Sequence, residues 1–366
     1  MTDAPPSMGM DPARFQQRKT VVIVDDSPLL RRWLRMVLEG NRRLVVVGEA
    51  SDAREAGAVI KATRPDVITL DIQMPGMNGL EFLEKLMLRN PLPVVVFSGV
   101  TRANCETTVR ALMLGAVDCL EKPENGTSRR LRDTISRRVF AAACSRIQTA
   151  PRARVASASA PAVRHQGMEP LVLIGASTGG VAALDTLIGG LDPAGPPVVI
   201  VQHMPGIQLV SFSQLLDRRF DQDVLLARPG MALAPGQIVL APALGQHTLV
   251  TRSLGQWEIR LQSDDEGAGH CPSINQLFHS AVPHARDVIA TILTGLGQDG
   301  ARGLKALRDA GATTFGQDKD SSTVYGMPRA AWEIGAVERQ YPLAEMSQAL
   351  NQAAARHRAR LVRARQ

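Results

Sequence analysis

The sequence predicts an α/β protein built from two doubly wound parallel-sheet domains. Three observations carry this. Short β-rich apolar runs alternate with helical patterns in two series along the 366 residues, as βαβ units do. Runs such as Val21–Val24 and Val94–Phe97 are apolar at every position, which suits strands buried on both faces. Between the two series lies a stretch rich in Ala, Pro, Ser and Arg with no periodicity, residues 149–168, which reads as a linker.

In the first series, strands are expected at Thr20–Val24, Leu44–Gly48, Val67–Leu70, Val94–Phe97 and Cys119–Leu120. Helices are expected at Leu29–Leu38, Ala53–Thr63, Gly79–Arg89, Glu106–Leu114 and around 128–147. The second series opens with a strand at Leu171–Ile174 and a helix at Val181–Ile188. A strand at Val198–Gln202 and a helix at Leu209–Arg218 follow. Gln237–Leu240, His247–Thr251 and Trp257–Leu261 read as a small β-meander. Then come a helix at Ser273–Ala281, a strand at Val288–Leu293, a helix at Ala301–Ala310, a strand at Ala312–Phe315 and a closing helix at Leu343–Ala355. The expected organisation is a disordered leader (1–18), a first domain (19–148), the linker (149–168), a second domain (169–355) and a basic tail (356–366).

Composition narrows the function classes. Hydrophobic residues make up 45% and charged residues 21%, as in globular domains. No apolar run approaches the roughly 18 residues of a membrane span, and the leader, with three prolines, has no signal-peptide core. The four cysteines form no CxxC pair, which fits a cytoplasmic protein. The net charge of +7 is concentrated: residues 125–168 hold nine Arg against one acid, and 356–366 hold five Arg and no acid. That is read as solvated surface, since charge alone speaks to association and not to fold. No nucleic-acid module is recognisable.

Polar residues fall where an open parallel sheet places its sites, beyond the carboxyl ends of the strands. Asp25 and Asp26 follow the first strand and Asp71 the third; Ser98 ends the fourth and Lys122 follows the fifth. Any one acid could simply cap a helix. Together they form a carboxylate cluster that calls for a hard cation such as Mg²⁺, with one carboxylate free to attack a phosphoryl group. The motifs IVDDSPLLRR, LDIQMPGMNGLEFL, VVVFSG and EKP resemble the response-regulator receiver family, which implies a flavodoxin-like domain. By that resemblance Asp71 is the phosphoacceptor, Asp26, Asp71 and the Gln73 backbone carbonyl bind Mg²⁺, Asp25 assists, and Ser98 and Lys122 hold the phosphoryl group. Two positions depart from the family: Asn78 stands where Asp is usual, and Cys119 where an aromatic residue is usual.

In the second domain, Gly175-Ala176-Ser177-Thr178-Gly179 lies between a strand and a helix, the nucleophile-elbow pattern. By itself it is equally compatible with a phosphate-binding glycine loop. His203, at the end of the next strand, and Asp299, in the loop ILTGLGQDG, decide for the nucleophile. A serine needs a base, and the base needs an orienting acid. The order Ser–His–Asp differs from that of α/β-hydrolases. IGASTGG, VVIVQHMP, PSINQLFHSA, TILTGLGQDGARGL and VYGMPRAAWEIGAV resemble the chemotaxis protein-glutamate methylesterase family. The resemblance implies a Rossmann-like three-layer hydrolase, switched by phosphorylation, that demethylates glutamate γ-methyl esters and deamidates glutamines on chemoreceptors. Ser177 is then the nucleophile, His203 the base, Asp299 its orienter, and the Leu296 N–H an oxyanion donor. Implied partners are a chemosensory histidine kinase and methylated receptor helices, with no nucleic acid, no membrane insertion and no esterase cofactor.

His270, Cys271, His279 and His284 resemble metal ligands in type, but their spacing matches no common zinc pattern. Ser322–Tyr325 reads as structural. Two rival functions remain: a receiver with a non-catalytic binding output, and an esterase serving a chemosensory pathway other than chemotaxis.

Overall fold

The computed structural model describes residues 18–74, 78–99, 102–122, 128–147, 169–264 and 269–364. The expected leader, apart from Arg18, and the expected linker lie outside the described residues.

The first domain is a five-stranded parallel sheet in the order β2-β1-β3-β4-β5, comprising β1 (Lys19–Val24), β2 (Leu44–Ala50), β3 (Val67–Asp71), β4 (Val94–Ser98) and β5 (Asp118–Glu121). Helices α1 (Pro28–Glu39), α2 (Ala53–Thr63), α3 (Gly79–Arg89), α4 (Arg102–Leu114) and α5 (Arg129–Ala143) connect and flank it. Local sequence starts these helices. The Ser27 side chain accepts from Leu30 N with Pro28 in the first turn, and Asp52 accepts from two amides of α2, as N-caps do. Asn78, one of the two departures from the receiver pattern, caps α3 by accepting from Leu80 N at 3.0 Å.

The second domain is a seven-stranded parallel sheet, β14-β13-β12-β6-β7-β9-β8. Its strands are β6 (Leu171–Ala176), β7 (Val198–Gln202), β8 (Asp223–Leu226), β9 (Gln237–Leu240), β12 (Val288–Ile292), β13 (Thr313–Gln317) and β14 (Arg339–Tyr341). Its helices are α6 (Gly180–Ile188), α7 (Gly206–Arg219), α8 (Ile274–Ser280), α9 (Ala301–Asp309), α10 (Met327–Glu333) and α11 (Leu343–Ala364). The chain runs from β6 to β7, on to the edge strand β8 and back to β9 between them, then crosses to β12 on the other side of β6. That reversal makes the β12-β6-β7 edge the switch point where doubly wound sheets place their sites.

The fold class stands, with two corrections to its elements. Gln237–Leu240 leaves the meander and pairs in parallel with β7 and β8, because its residues are buried on both faces except at Gln237. Only β10 (Gln246–Ser253) and β11 (Gln256–Ser263) form the antiparallel hairpin. The closing helix runs on through the residues set apart as a basic tail, to Ala364. There Arg358 pairs with Glu169 at 2.7 Å and His357 is buried. The apolar face that packs the helix on the domain outweighs the charge that marked those residues as tail.

The two domains pack on each other. One buried apolar cluster continues from Val109, Leu112 and Met113 of α4 into Val181 and Leu184 of α6 and Leu209 and Phe212 of α7. Polar contacts border it: Gly179 N donates to Val117 O at 3.0 Å, Thr178 Oγ1 to Asp118 Oδ2 at 3.3 Å, and Cys119 Sγ to Gln208 Oε1 at 2.9 Å. The β5 edge of the first domain is thus seated on the loop that carries Ser177.

Candidate active site and receiver pocket

Ser177, His203 and Asp299 come from the ends of three adjacent strands, β6, β7 and β12. Gly179 takes φ +78° as the chain turns into α6, a conformation glycine adopts without steric cost. Gly295 packs so closely that a Cβ there would lie 2.7 Å from Ser177 Cβ. This holds the Thr294–Gly297 loop, with Leu296, against the serine. Gln202 Nε2 donates to both Ser177 O at 3.0 Å and His203 O at 3.1 Å, tying the two turns together.

His203 Nε2 lies 3.0 Å from Asp299 Oδ2, and both side chains are 10% exposed. Nδ1 is buried without a hydrogen-bond partner, so it is the nitrogen left for Ser177, which lines the same small pocket. Asp299 is heavily solvated by protein. Its Oδ1 accepts from Ser273 Oγ at 3.0 Å and from Asn275 N at 3.0 Å, and Oδ2 accepts from Ile274 N at 2.8 Å. Burial would raise its pKa, but the His203 hydrogen bond and the amides of α8 outweigh it and hold the value at about 2. A carboxylate at a helix N-terminus is stabilised as the anion.

That pocket is also lined by Leu112, Ala116, Val117, Cys119 and Arg138 of the first domain. Arg138 Nε donates to Asp118 Oδ2 at 2.7 Å and its NH2 to Cys119 O at 3.1 Å.

The other cluster brings Asp25, Asp26, Asp71 and Lys122 close together. Ligand-capable oxygens of Asp25, Asp26 and Asp71 lie within 4.8 Å of one another. Asp25 and Asp71 are 1% exposed, and Lys122 Nζ stands 3.1 Å from Asp25 and 2.7 Å from Asp71. Burial raises the pKa of Asp71 despite Lys122 and the Gln73 amide. One ammonium facing two buried carboxylates leaves negative charge uncompensated, and an all-oxygen donor set fits a hard divalent cation. Ser98 is buried at the end of β4, and Gln73 N donates to Asp71 Oδ1 at 2.9 Å.

Several contributors escaped the sequence reading. His270, considered there only as a metal ligand, stacks on His203 with ring centroids 4.1 Å apart. Ser273 and Gln202 have no motif that announces them, although S-x-x-Q before an apolar run marks Ser273 as a cap. Cys271 sits with His247 and Asp264. His247 Nδ1 accepts from Ser273 N at 3.1 Å, which places the ring proton on Nε2, toward Asp264, where a metal would need a lone pair. His279 is exposed on α8 and His284 meets Trp257 edge-on.

Fold and site together define a two-domain protein in which an α/β domain with an acidic pocket packs against a Ser–His–Asp hydrolase-type site. A family model described as CheB methylesterase matches residues 172–350, and one described as response regulator receiver domain matches residues 21–136. Protein-glutamate methylesterase/protein-glutamine glutaminase 1 of Caulobacter vibrioides is 45% identical over 335 residues, covering 90% of this chain and 96% of its own. Protein-glutamate methylesterase/protein-glutamine glutaminase 2 of Pseudomonas aeruginosa is 42% identical over 344 residues, covering 92% and 97%. The crystal structure of the Thermotoga maritima CheB methylesterase catalytic domain is 30% identical and covers 50% of this chain and 98% of that one, with a TM-score of 0.49. The chain belongs to the receiver-linked protein-glutamate methylesterase/protein-glutamine glutaminase family. Among the described residues no helix is long and apolar enough to cross a membrane.

Proposed function

We propose that Ser177, His203 and Asp299 are the nucleophile, general base and orienting acid of a carboxylic ester hydrolase that removes methyl groups from glutamate γ-methyl esters on chemoreceptor helices. Ser177 Oγ attacks the ester carbonyl as His203 Nδ1 takes its proton. The methoxide leaves as methanol with that proton, and water then hydrolyses the acyl-enzyme by the same route. The Leu296 N–H, which follows the Gly295 packed against Ser177, is the donor assigned to the developing oxyanion. Glutamine deamidation follows the same path with ammonia leaving. The observation that supports this most directly is the His203–Asp299 pair, which leaves a single buried nitrogen for the serine.

Asp71 is the proposed phosphoacceptor, served by a chemosensory histidine kinase in the cytoplasm. Mg²⁺, held by Asp26, Asp71 and the Gln73 carbonyl, would neutralise charge on the incoming phosphoryl group. Asp25, Ser98 and Lys122 orient it. Because the β5 edge lies on the Ser177 loop, phosphorylation is proposed to release the receiver from the site, a shift between two domain arrangements.

The test is methanol release from methylated receptor membranes with and without a phosphoryl donor. The fragment 169–366 should demethylate faster than the unphosphorylated whole chain and ignore the donor. Equal rates would refute occlusion, and donor stimulation without methanol would refute the esterase reading.

A further inference from the structure

Among the described residues one polar contact orients the His203 ring: Nε2 to Asp299 Oδ2 at 3.0 Å. Its other nitrogen has no hydrogen-bond partner among them. A single hydrogen bond leaves an imidazole free to swing about the bond axis, which would carry Nδ1 away from the serine. Something must hold the plane of the ring.

His270 meets that need. Its ring lies over the His203 ring at a centroid distance of 4.1 Å and an interplanar angle of 16°. It belongs to the segment 270–275, which also supplies Ser273 Oγ, Ile274 N and Asn275 N to Asp299. The segment is in turn propped by His247, whose Nδ1 accepts from Ser273 N. One short stretch of chain therefore touches both partners of the serine.

Resting on the triad reading above, we propose that His270 is a positioning residue for hydrolysis: by face-to-face stacking it fixes the His203 ring so that Nδ1 stays aimed at Ser177. His270 is suited to this as a neutral ring. Desolvation against its neighbours first, although the residue as a whole is exposed, then the positive potential of His203, Arg138 and Arg137, lowers its pKa to about 4, with Asp299 opposing. A ring that is neutral at pH 7 can stay stacked when His203 takes up the serine proton, whereas a cation there would repel the imidazolium. The residue keeps solvent exposure on its outer side, so it does not seal the site. Its effect on the reaction runs through His203.

The test uses the full chain with acetyl phosphate and Mg²⁺, turning over a soluble peptide that carries a glutamate γ-methyl ester, with H270A, H270L, H270F and S177A compared. A positioning role lowers kcat of H270A and H270L by roughly tenfold or more, because misplacement of a catalytic group by about 1 Å can cost up to ~100-fold, while KM stays near wild type. H270F, which keeps a flat ring, should recover most of the loss. If H270A loses its melting transition, the comparison of H270L with H270F carries the result. A wild-type kcat in H270A and H270L, a rise in KM with kcat unchanged, or an H270F as slow as H270L at a native Tm would each overturn the proposal. Activity in S177A would instead overturn the triad reading, so the two failures are distinguishable.

Discussion

Asp71, the last residue of β3, and Asp299, in the loop after β12, both lie at the carboxyl edge of a parallel sheet, yet their surroundings push them in opposite directions. Asp71 is buried, faces Asp25, and has its pKa raised. Asp299 is almost as enclosed but receives a hydroxyl, amides of α8 and His203, and is held at about 2. The same address in the fold becomes two chemistries according to what pairs with the carboxylate. Asp299 has been given its partners by the protein and serves as a fixed charge. Asp71 is left short of positive charge, which the divalent cation proposed above would supply.

The comparison can be broken most sharply at the serine. S177A should lose methanol release by roughly 10⁴-fold or more, as removal of a triad nucleophile does, while phosphate incorporation at Asp71 is unchanged. H203Q should be nearly as severe. D299N should be milder, because triad members contribute unequally to a shared step. Loss of phosphorylation in S177A would show that the two sites are not separate.

Replacing each carboxylate by its amide sharpens the contrast in regulation and stability. D71N should abolish stimulation by a phosphoryl donor but keep basal turnover. It should also raise Tm in the absence of Mg²⁺, since it removes a buried charge, and cancel the Tm gain that Mg²⁺ gives the wild type. D299N should do the reverse and lower Tm at pH 7. Its folded pKa lies below the reference 3.8, so the carboxylate's contribution is complete above about pH 4 and is lost as pH falls toward 2. The gap between wild type and D299N in urea midpoint should therefore narrow over that range. A gap independent of pH would mean that the hydrogen bonds, not the charge, carry the effect.

The smallest expected effect lies far from either site. Arg358 on α11 pairs with Glu169 at 2.7 Å while partly buried. R358A should cost up to about 1 kcal/mol in a denaturant midpoint and leave kcat on a soluble ester unchanged. A change in kcat would mean that the start of the second domain at Glu169 communicates with the Ser177 edge.

Much of this was legible in one dimension. Apolar runs with two-faced burial announce parallel strands, and in parallel sheets the site must lie at the carboxyl ends. Asp25, Asp71 and His203 stood out at strand ends, Ser177 in its G-x-S-x-G turn and Asp299 in its glycine-shaped loop, and only their combination singled them out. What failed was local pattern without tertiary context. Gln237–Leu240 resembled its meander neighbours until burial on both faces drew it into the main sheet, and arginines disguised the last two turns of α11.

The sequence by itself determined which residues reach the two sheet edges, because strand periodicity and crossover handedness leave few alternatives. Only the tertiary structure decided which nitrogen of His203 is free, that residues 270–275 grip both its ring and Asp299, and that β5 of the receiver rests on the Ser177 loop. Those contacts join residues separated by 24 to 96 positions or lying in different domains. No local pattern encodes them: they exist only when packing has brought the segments together, and the energy that selects them is that of the assembled core.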